Sequence, residues 1–285
     1  MTPKLVHGSG DEGLFGPGSI TWAIHSHPSM LIGGLRSLLY QALNPLAMAG
    51  VAEHSNYKED PWSRLMATSD FIVTTTYGDT EAAKAAIEKV RTIHTFVNGV
   101  DEVTGRPYSA DDPELLLWVH AAEVDSFLRC YRTYGERISD SDADRYIAEM
   151  AIVAELLGAR PSDLPTSVAQ LEDYLDGAEL LVTPAAKEAM RFVLYPPAPW
   201  PGGRMPSGPL GQLLRIPGRA GYSTFSLATI AILPPPVRRA YGLPPIPVTP
   251  PLKMAVMGLT KAMNFVFAPP PGIEAARARV SDLKS

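Results

Sequence analysis

A histidine in the middle of an apolar helical pattern is the residue of this sequence with the clearest capacity for chemistry. His120 lies in LLLWVHAAEVDSFLRCYRTYG, and helical spacing places Leu117, Val124 and Phe127 on its side of the helix. A lone histidine on such a face is usually a core residue that hydrogen-bonds a carbonyl group. A neutral imidazole in an apolar wall is also what a haem iron needs as its axial ligand. The local pattern leaves both interpretations open.

The preceding predicted helix carries a polar strip. In KVRTIHTFVNG, Arg91, His94 and Thr95 stand at i, i+3 and i+4 and therefore share one side of a helix that is otherwise largely apolar. Such a strip can be a solvated face. As a site, it fits a buried anionic cofactor: Arg91 would form a forked pair with a carboxylate such as a haem propionate. Thr95 would add a hydroxyl donor, and His94 would stand over the reacting face.

Other common catalytic motifs are missing from the sequence. It contains no GxGxxG, Walker loop, HExxH or GxSxG pattern. A di-iron site in a helical protein needs Glu-x-x-His on two helices. Arg91 and Leu117 occupy the positions three before His94 and His120, so the sequence argues against a di-iron centre.

Composition indicates an ordinary globular protein of 285 residues, 46% hydrophobic and 19% charged, with a net charge of −5. This balance gives no indication of nucleic-acid binding. Cys130 is the single cysteine, which excludes an intrachain disulfide framework and fits a cytoplasmic location. We expect no signal peptide and no integral membrane segment. The methionine-rich stretch PPLKMAVMGLTKAMNFVFAPPP is interpreted as a buried helix or as a surface helix that touches lipid or an apolar ligand.

The elements that would position these residues are predicted to be helices. Asp60, Asp79, Asp112 and Ser139 (or Ser141) stand where an N-cap precedes a helical pattern. No alternating run is strong enough to predict a sheet, and VDEVTGRPYSADD is predicted to be a loop. Prolines concentrate towards the C-terminus. We therefore expect a single all-α domain over residues 1–285, with an irregular, proline-rich C-terminal third.

Three stretches resemble the rubber-oxygenase (latex clearing protein) catalytic-domain family, which includes the mpaB-like fungal oxygenases. They are GLFGPGSITWAIHSHPSMLIGGLRSLLYQALNPLAMAGVAEHS, RTIHTFVNG and DPELLLWVHAAEVDSFLRCYRTYG, and the resemblance extends through GRAGYSTFSLATIAILPPPVRRAYGLP. It implies an all-α protein with one haem b (iron) between helices. His120 matches the proximal axial ligand. Arg91 and Thr95 match two distal residues of the family, and His94 stands where the family has a lysine.

One further departure from the family concerns its base, and other polar groups are candidates for acid–base roles. The family's glutamate base would fall near FIVTTTYGD, which contains no glutamate. Glu53 and His54 are alternative polar groups, or the solvent-facing end of a helix. Asp125 or Glu123 could orient the free ring nitrogen of His120, or be surface carboxylates.

The resemblance implies a haem-dependent oxygenase or oxidase that uses O₂ or peroxide on a hydrophobic small molecule such as an isoprenoid, lipid or aromatic compound. His120 would bind the metal, His94 and Arg91 would be catalytic, and Arg91, His94 and Thr95 would help to bind the cofactor. The alternative is a haem protein without turnover, in which His94 and His120 both bind iron. The sequence leaves a homo-oligomer open.

Overall fold

The computed structural model describes residues 11–196, 222–266 and 271–282. Within these ranges nearly all of the regular secondary structure is helical, which confirms the all-α prediction. A 3₁₀ turn at Pro161–Asp163 interrupts the helices. The α-helices are α1 (Ile20–His25), α2 (Met30–Gln41), α3 (Pro45–His54), α4 (Pro61–Tyr77), α5 (Thr80–His94), α6 (Pro113–Tyr134), α7 (Asp140–Leu157), α8 (Val168–Asp176), α9 (Pro184–Leu194), α10 (residues 222–232), α11 (Pro235–Tyr241), α12 (Pro250–Val266) and α13 (Pro271–Asp282).

Side-chain caps explain where the helices that carry the candidate residues begin. Asp60, Asp79, Asp112 and Ser139 each accept a hydrogen bond from a backbone N–H in the first turn of α4, α5, α6 and α7, at 2.8–3.0 Å. These bonds satisfy N–H groups that have no partner within the helix. The predicted starts of these four helices are confirmed.

A two-stranded antiparallel ribbon joins α5 to α6, where a plain loop was predicted. Strands β1 (Asn98–Val100) and β2 (Pro107–Ser109) pair with Gly99 opposite Tyr108. Asp101 closes the turn by accepting from the amide of Thr104 at 2.9 Å and from its hydroxyl at 2.6 Å. Strands of three residues are too short to show the alternation on which strand prediction depends, which is why the sequence did not reveal them.

Helix α6 is the centre of the fold and packs most extensively on α2. Gly33 of α2 permits the close approach: a Cβ there would lie 2.8 Å from Cδ1 of Phe127 and 3.4 Å from Cβ of Cys130. The adjacent Gly34 faces open space. The seam between α2 and α6 is therefore set by the absence of one side chain.

A buried ion pair crosses the same seam. Arg36 of α2 is 1% exposed, and its Nη2 lies 2.7 Å from Oδ2 of Asp125 on α6. Nη1 donates to Oγ of Ser126 at 2.6 Å, and Nε donates to the carbonyl of Ile232 in α10 at 2.9 Å. One guanidinium thus joins three helices, and each of its three nitrogens has a partner. A buried charge requires such pairing to offset the loss of its hydration.

The short first helix depends on a residue far along the chain. Oε2 of Glu149 in α7 accepts from the amide of Thr21 at 2.9 Å and from its hydroxyl at 2.7 Å. Oε1 accepts from the amide of Ile20 at 3.3 Å. A carboxylate at a helix N-terminus satisfies free N–H groups and complements the helix dipole.

The described part of the C-terminal third is more helical than expected. Helices α10 to α13 occupy most of residues 222–282, with prolines in the connections between α10 and α12. The proline-rich stretch from residue 197 to 221 lies outside the described residues, so its predicted irregularity is not assessed. That residues 1–285 form one domain stays a prediction. No helix in the described ranges is long and apolar enough to cross a membrane.

Candidate functional site

His120 lies in the first half of α6 with a free ring nitrogen. The residue is 8% exposed, and its Nε2 is buried with no hydrogen-bond partner among the described residues. Burial lowers the pKa of His120 to about 4, so the imidazole is neutral at neutral pH. A core histidine would normally bond a carbonyl there, because an unpartnered buried polar atom costs about 1–3 kcal/mol. A neutral, unpartnered imidazole nitrogen fits an axial ligand of haem iron.

A carboxyl group lies one helical turn beyond this histidine. Glu123 is half-buried, and burial raises its pKa to about 7. The other carboxylate considered for orienting His120, Asp125, is bound to Arg36 instead. Within the described residues, no hydrogen bond joins Glu123 to His120.

A second enclosed histidine connects three helices near Glu123. Nδ1 of His25 lies 2.9 Å from the hydroxyl of Thr76 in α4, and its Nε2 lies 3.0 Å from the hydroxyl of Tyr146 in α7. Burial lowers the pKa of His25 to about 3. Burial, and then the charges of Glu123 and Glu149, raise the pKa of Tyr146. No local sequence pattern predicts this chain of polar groups, because its members lie 51 and 121 residues apart.

The predicted strip on α5 is divided by the structure. Arg91 is half exposed and forms an ion pair with Glu88 at 3.2 Å on the helix surface. Thr95 is exposed, and its hydroxyl donates to the carbonyl of Thr92 at 2.8 Å. His94 is half-buried, and its Nδ1 is buried without a partner in the described part of the chain. The solvated-face interpretation therefore describes Arg91 and Thr95 but not His94.

An arginine that the sequence analysis did not consider lies beside His94. Burial and then the positive charge of Arg64 lower the pKa of His94, while the charge of Asp111 opposes that shift. Burial also lowers the pKa of Arg64, although the side chain is reached by solvent. Its Nη1 donates to Thr68 at 3.2 Å, and no carboxylate in the described residues pairs with it. Arg64 thus presents a positive charge with no carboxylate partner among the described residues, and no sequence signal distinguishes it from other surface arginines.

His27 and His54, the other histidines in the described ranges, each contact a hydroxyl group. Nδ1 of His27 lies 2.7 Å from the hydroxyl of Ser29. Nε2 of His54 lies 3.1 Å from the hydroxyl of Tyr108, which donates to Glu53 at 2.7 Å. Both Glu53 and His54 are exposed at the end of α3, as the helix-terminus interpretation predicts.

The helices that carry His94 and His120, α5 and α6, both pack on α7. Among the described elements, α5 packs mainly on α4 and α7, and α7 also packs on α6. His94 and His120 thus project from two helices that share α7 as a common neighbour. No cluster of three or more His, Cys, Asp or Glu side chains suited to a metal ion is present in the described residues. A haem needs no such cluster, because its porphyrin supplies four of the iron ligands.

Comparison with known protein families gives one match. The profile of the family described as "ER-bound oxygenase mpaB/B'/Rubber oxygenase, catalytic domain" matches residues 22–266. No curated protein and no solved structure matches the chain significantly. The matched range contains His25, Arg91, His94, His120 and Glu123.

Proposed function

The chain belongs to the mpaB/rubber oxygenase catalytic-domain family, whose profile covers most of its length, and from this premise we propose that it is a haem b-dependent oxygenase. The family itself supports an enzyme with oxidoreductase activity that uses O₂ and a small molecule. We assign to this chain an apolar substrate of the isoprenoid, lipid or aromatic class. The cytoplasmic location expected from the single cysteine is part of the proposal.

The free Nε2 of His120 is the observation that carries the proposal. It is buried, neutral and unpartnered, and bonding to iron would remove the free-energy penalty of that unsatisfied atom. A bound haem b would supply the iron centre at which O₂ or peroxide is activated. His120 would hold that iron and so tie the cofactor to α6.

The residues of α5 and α4 would act on the cofactor's other groups. The surface pair between Arg91 and Glu88 is worth at most about 1 kcal/mol, so Arg91 is readily available to a propionate carboxylate. Arg64 offers a second, uncompensated guanidinium beside His94. Thr95 can turn its hydroxyl from the Thr92 carbonyl towards the cofactor. In this proposal His94 and Arg91 are the catalytic residues.

Glu123 is a further proton-holding group of the proposed site. Because burial raises the pKa of Glu123 to about 7, this carboxyl can hold or release a proton near neutral pH.

The test is haem content and spectrum in a histidine variant with a matched control. Wild-type protein supplemented with haem should show a Soret band. His120→Ala should lose most of the haem and keep its far-UV circular dichroism, whereas His54→Ala, an exposed histidine, should retain both. Full haem occupancy with an unchanged ligand signature in His120→Ala would refute the assignment.

A second candidate function is a haem protein without turnover, and the buried, unpartnered Nδ1 of His94 favours it. If His94 binds iron opposite His120, no position is open to O₂. A low-spin spectrum that does not change with O₂, CO or imidazole would select this function. His94→Ala would then shift the spectrum to high spin and raise the affinity for CO or imidazole.

A further inference from the structure

The charges of this chain are distributed very unevenly. Residues 189–273 contain eight lysines and arginines and no aspartate or glutamate. The other 200 residues contain 17 basic and 30 acidic residues, so the net charge of −5 conceals a positive segment. Such asymmetry is typical of chains that meet an anionic surface. The eight residues are Arg191, Arg204, Arg215, Arg219, Arg238, Arg239, Lys253 and Lys261.

One face of α12 presents lysine and methionine together. Lys253, Met254, Met257 and Lys261 follow each other at spacings of one, three and four residues and share one side of the helix. All four are exposed, with Met254 at 72% and Met257 at 47%. The stripe from Lys253 to Lys261 is about 12 Å long at 1.5 Å per residue. We call these four residues the α12 stripe.

The opposite face of α12 is anchored in the protein. Val256 is 1% exposed and belongs to a core cluster with residues of α2, α6 and α10, including Ile32 and Phe225. Leu252 and Leu259 pack partly against the same cluster. Because these contacts fix the helix, its exposed face cannot turn inward. Neither lysine of the stripe forms an ion pair with a described residue.

We propose that the α12 stripe docks this protein on an anionic lipid surface, with both methionines in the apolar part of the interface and both lysines at the phosphates. A helix that lies in a membrane interface combines an apolar face with lysines that reach the headgroups. Methionine can adapt to a disordered acyl boundary because its side chain is long and flexible. The net positive charge of residues 189–273 adds attraction to anionic headgroups.

Other occupants match the stripe less well. A nucleic acid would pair with the lysines but leave Met254 in water, since phosphates offer nothing apolar to cover it. A second copy packed by two-fold symmetry would bring the same stripe against itself and place lysines near lysines. A lipid surface satisfies both side-chain types at once. The inference is independent of haem binding and concerns a different helix from His120.

The test is sedimentation of the full chain with phosphatidylcholine vesicles, with and without phosphatidylglycerol. We expect binding to depend on phosphatidylglycerol and to weaken as salt is raised. Lys253→Glu combined with Lys261→Glu should lower the partition coefficient about a hundredfold. Met254→Ser combined with Met257→Ser should lower it about tenfold.

Matched controls distinguish an effect of the α12 stripe on vesicle binding from an effect of net charge and from a loss of folding. Lys84→Glu with Lys89→Glu changes two exposed lysines of α5, gives the same change in net charge and should stay within about twofold of wild type. All variants should keep wild-type circular dichroism, because every substituted side chain is exposed.

Three results would overturn the proposal. The first is equal binding to vesicles with and without phosphatidylglycerol, and the second is an equal loss in the α5 control. The third is evidence for another partner in place of lipid. It would be either a concentration-dependent dimer that the methionine variant abolishes or retention of single-stranded DNA without vesicle binding. Either form of the third result assigns the stripe to another partner.

Discussion

Replacing Arg36 with methionine is expected to lower the free energy of unfolding by about 3–5 kcal/mol, the usual penalty for breaking a buried ion pair by removing one partner. The reason is the charge that remains. Asp125 is 9% exposed and would lose the guanidinium 2.7 Å away. The carbonyl of Ile232 and the hydroxyl of Ser126 would lose their donors as well. Methionine can fill much of the volume, so the loss reflects unpaired polar atoms rather than a cavity.

The measurement is urea denaturation followed by circular dichroism, with every variant at the same haem occupancy because ligand binding stabilises the native state. Arg129→Met is the control: its Nη2 lies 3.6 Å from Glu172, and both side chains are about half exposed. That surface pair should contribute less than about 1 kcal/mol. The double variant Arg36→Met, Asp125→Leu should recover much of the loss, since it leaves no unpaired charge.

Equal effects of Arg36→Met and Arg129→Met would refute this reasoning, because burial would then not matter. A double variant as unstable as Arg36→Met would also contradict it. The loss would in that case come from packing and not from the isolated carboxylate.

Three further predictions use other buried groups. In urea titrations, Gly33→Ala should lower the free energy of unfolding by about 1–3 kcal/mol, because its Cβ would lie 2.8 Å from Phe127. Gly34→Ala should raise it by up to about 1 kcal/mol, because a Cβ there would meet open space. Burial raises the pKa of Glu123 from 4.5 to about 7, so the native state binds more protons between these values and stability should fall as pH rises through them. Glu123→Gln should flatten that fall. If the difference in free energy of unfolding between wild type and variant did not change with pH, the prediction would be contradicted. Burial raises the pKa of Cys130 to about 12, so a thiol reagent should react with it only after denaturation; rapid labelling of the native protein would contradict this.

The helices were predictable where a local signal marks their beginning. Asp60, Asp79 and Asp112 are short acceptors followed by good helix-forming sequence, and their structure depends on the next few residues alone. The ribbon between α5 and α6 was missed because each strand has three residues and is held by a single turn at Asp101. Local patterns thus predicted helix positions and failed for a short element that is stabilised by one side chain.

The candidate site was predictable only in part, for a different physical reason. The burial of His120 followed from the apolar residues on its side of the helix. Spacing also placed Arg91 with His94, but residues three apart still differ by tens of degrees around the axis, and the structure exposes one and half-buries the other. Arg64 and the contact of His25 with Tyr146 depend on which helices pack together, which no local pattern contains.

The carboxylate of Glu149 has a consequence for synthesis of the chain on the ribosome. Six residues are too few for α1 to persist as an isolated helix, and the acceptor for its first N–H groups lies 128 and 129 residues later. At translation rates of about 5–20 residues per second, the nascent chain waits roughly 6–26 seconds for that acceptor. Throughout that interval Trp22 and Ile24, which are buried in the finished fold, lack part of their packing, because their clusters also contain Ile273 and Tyr146. Helix α1 therefore becomes native well after it is synthesised, and a chaperone has that interval in which to bind it.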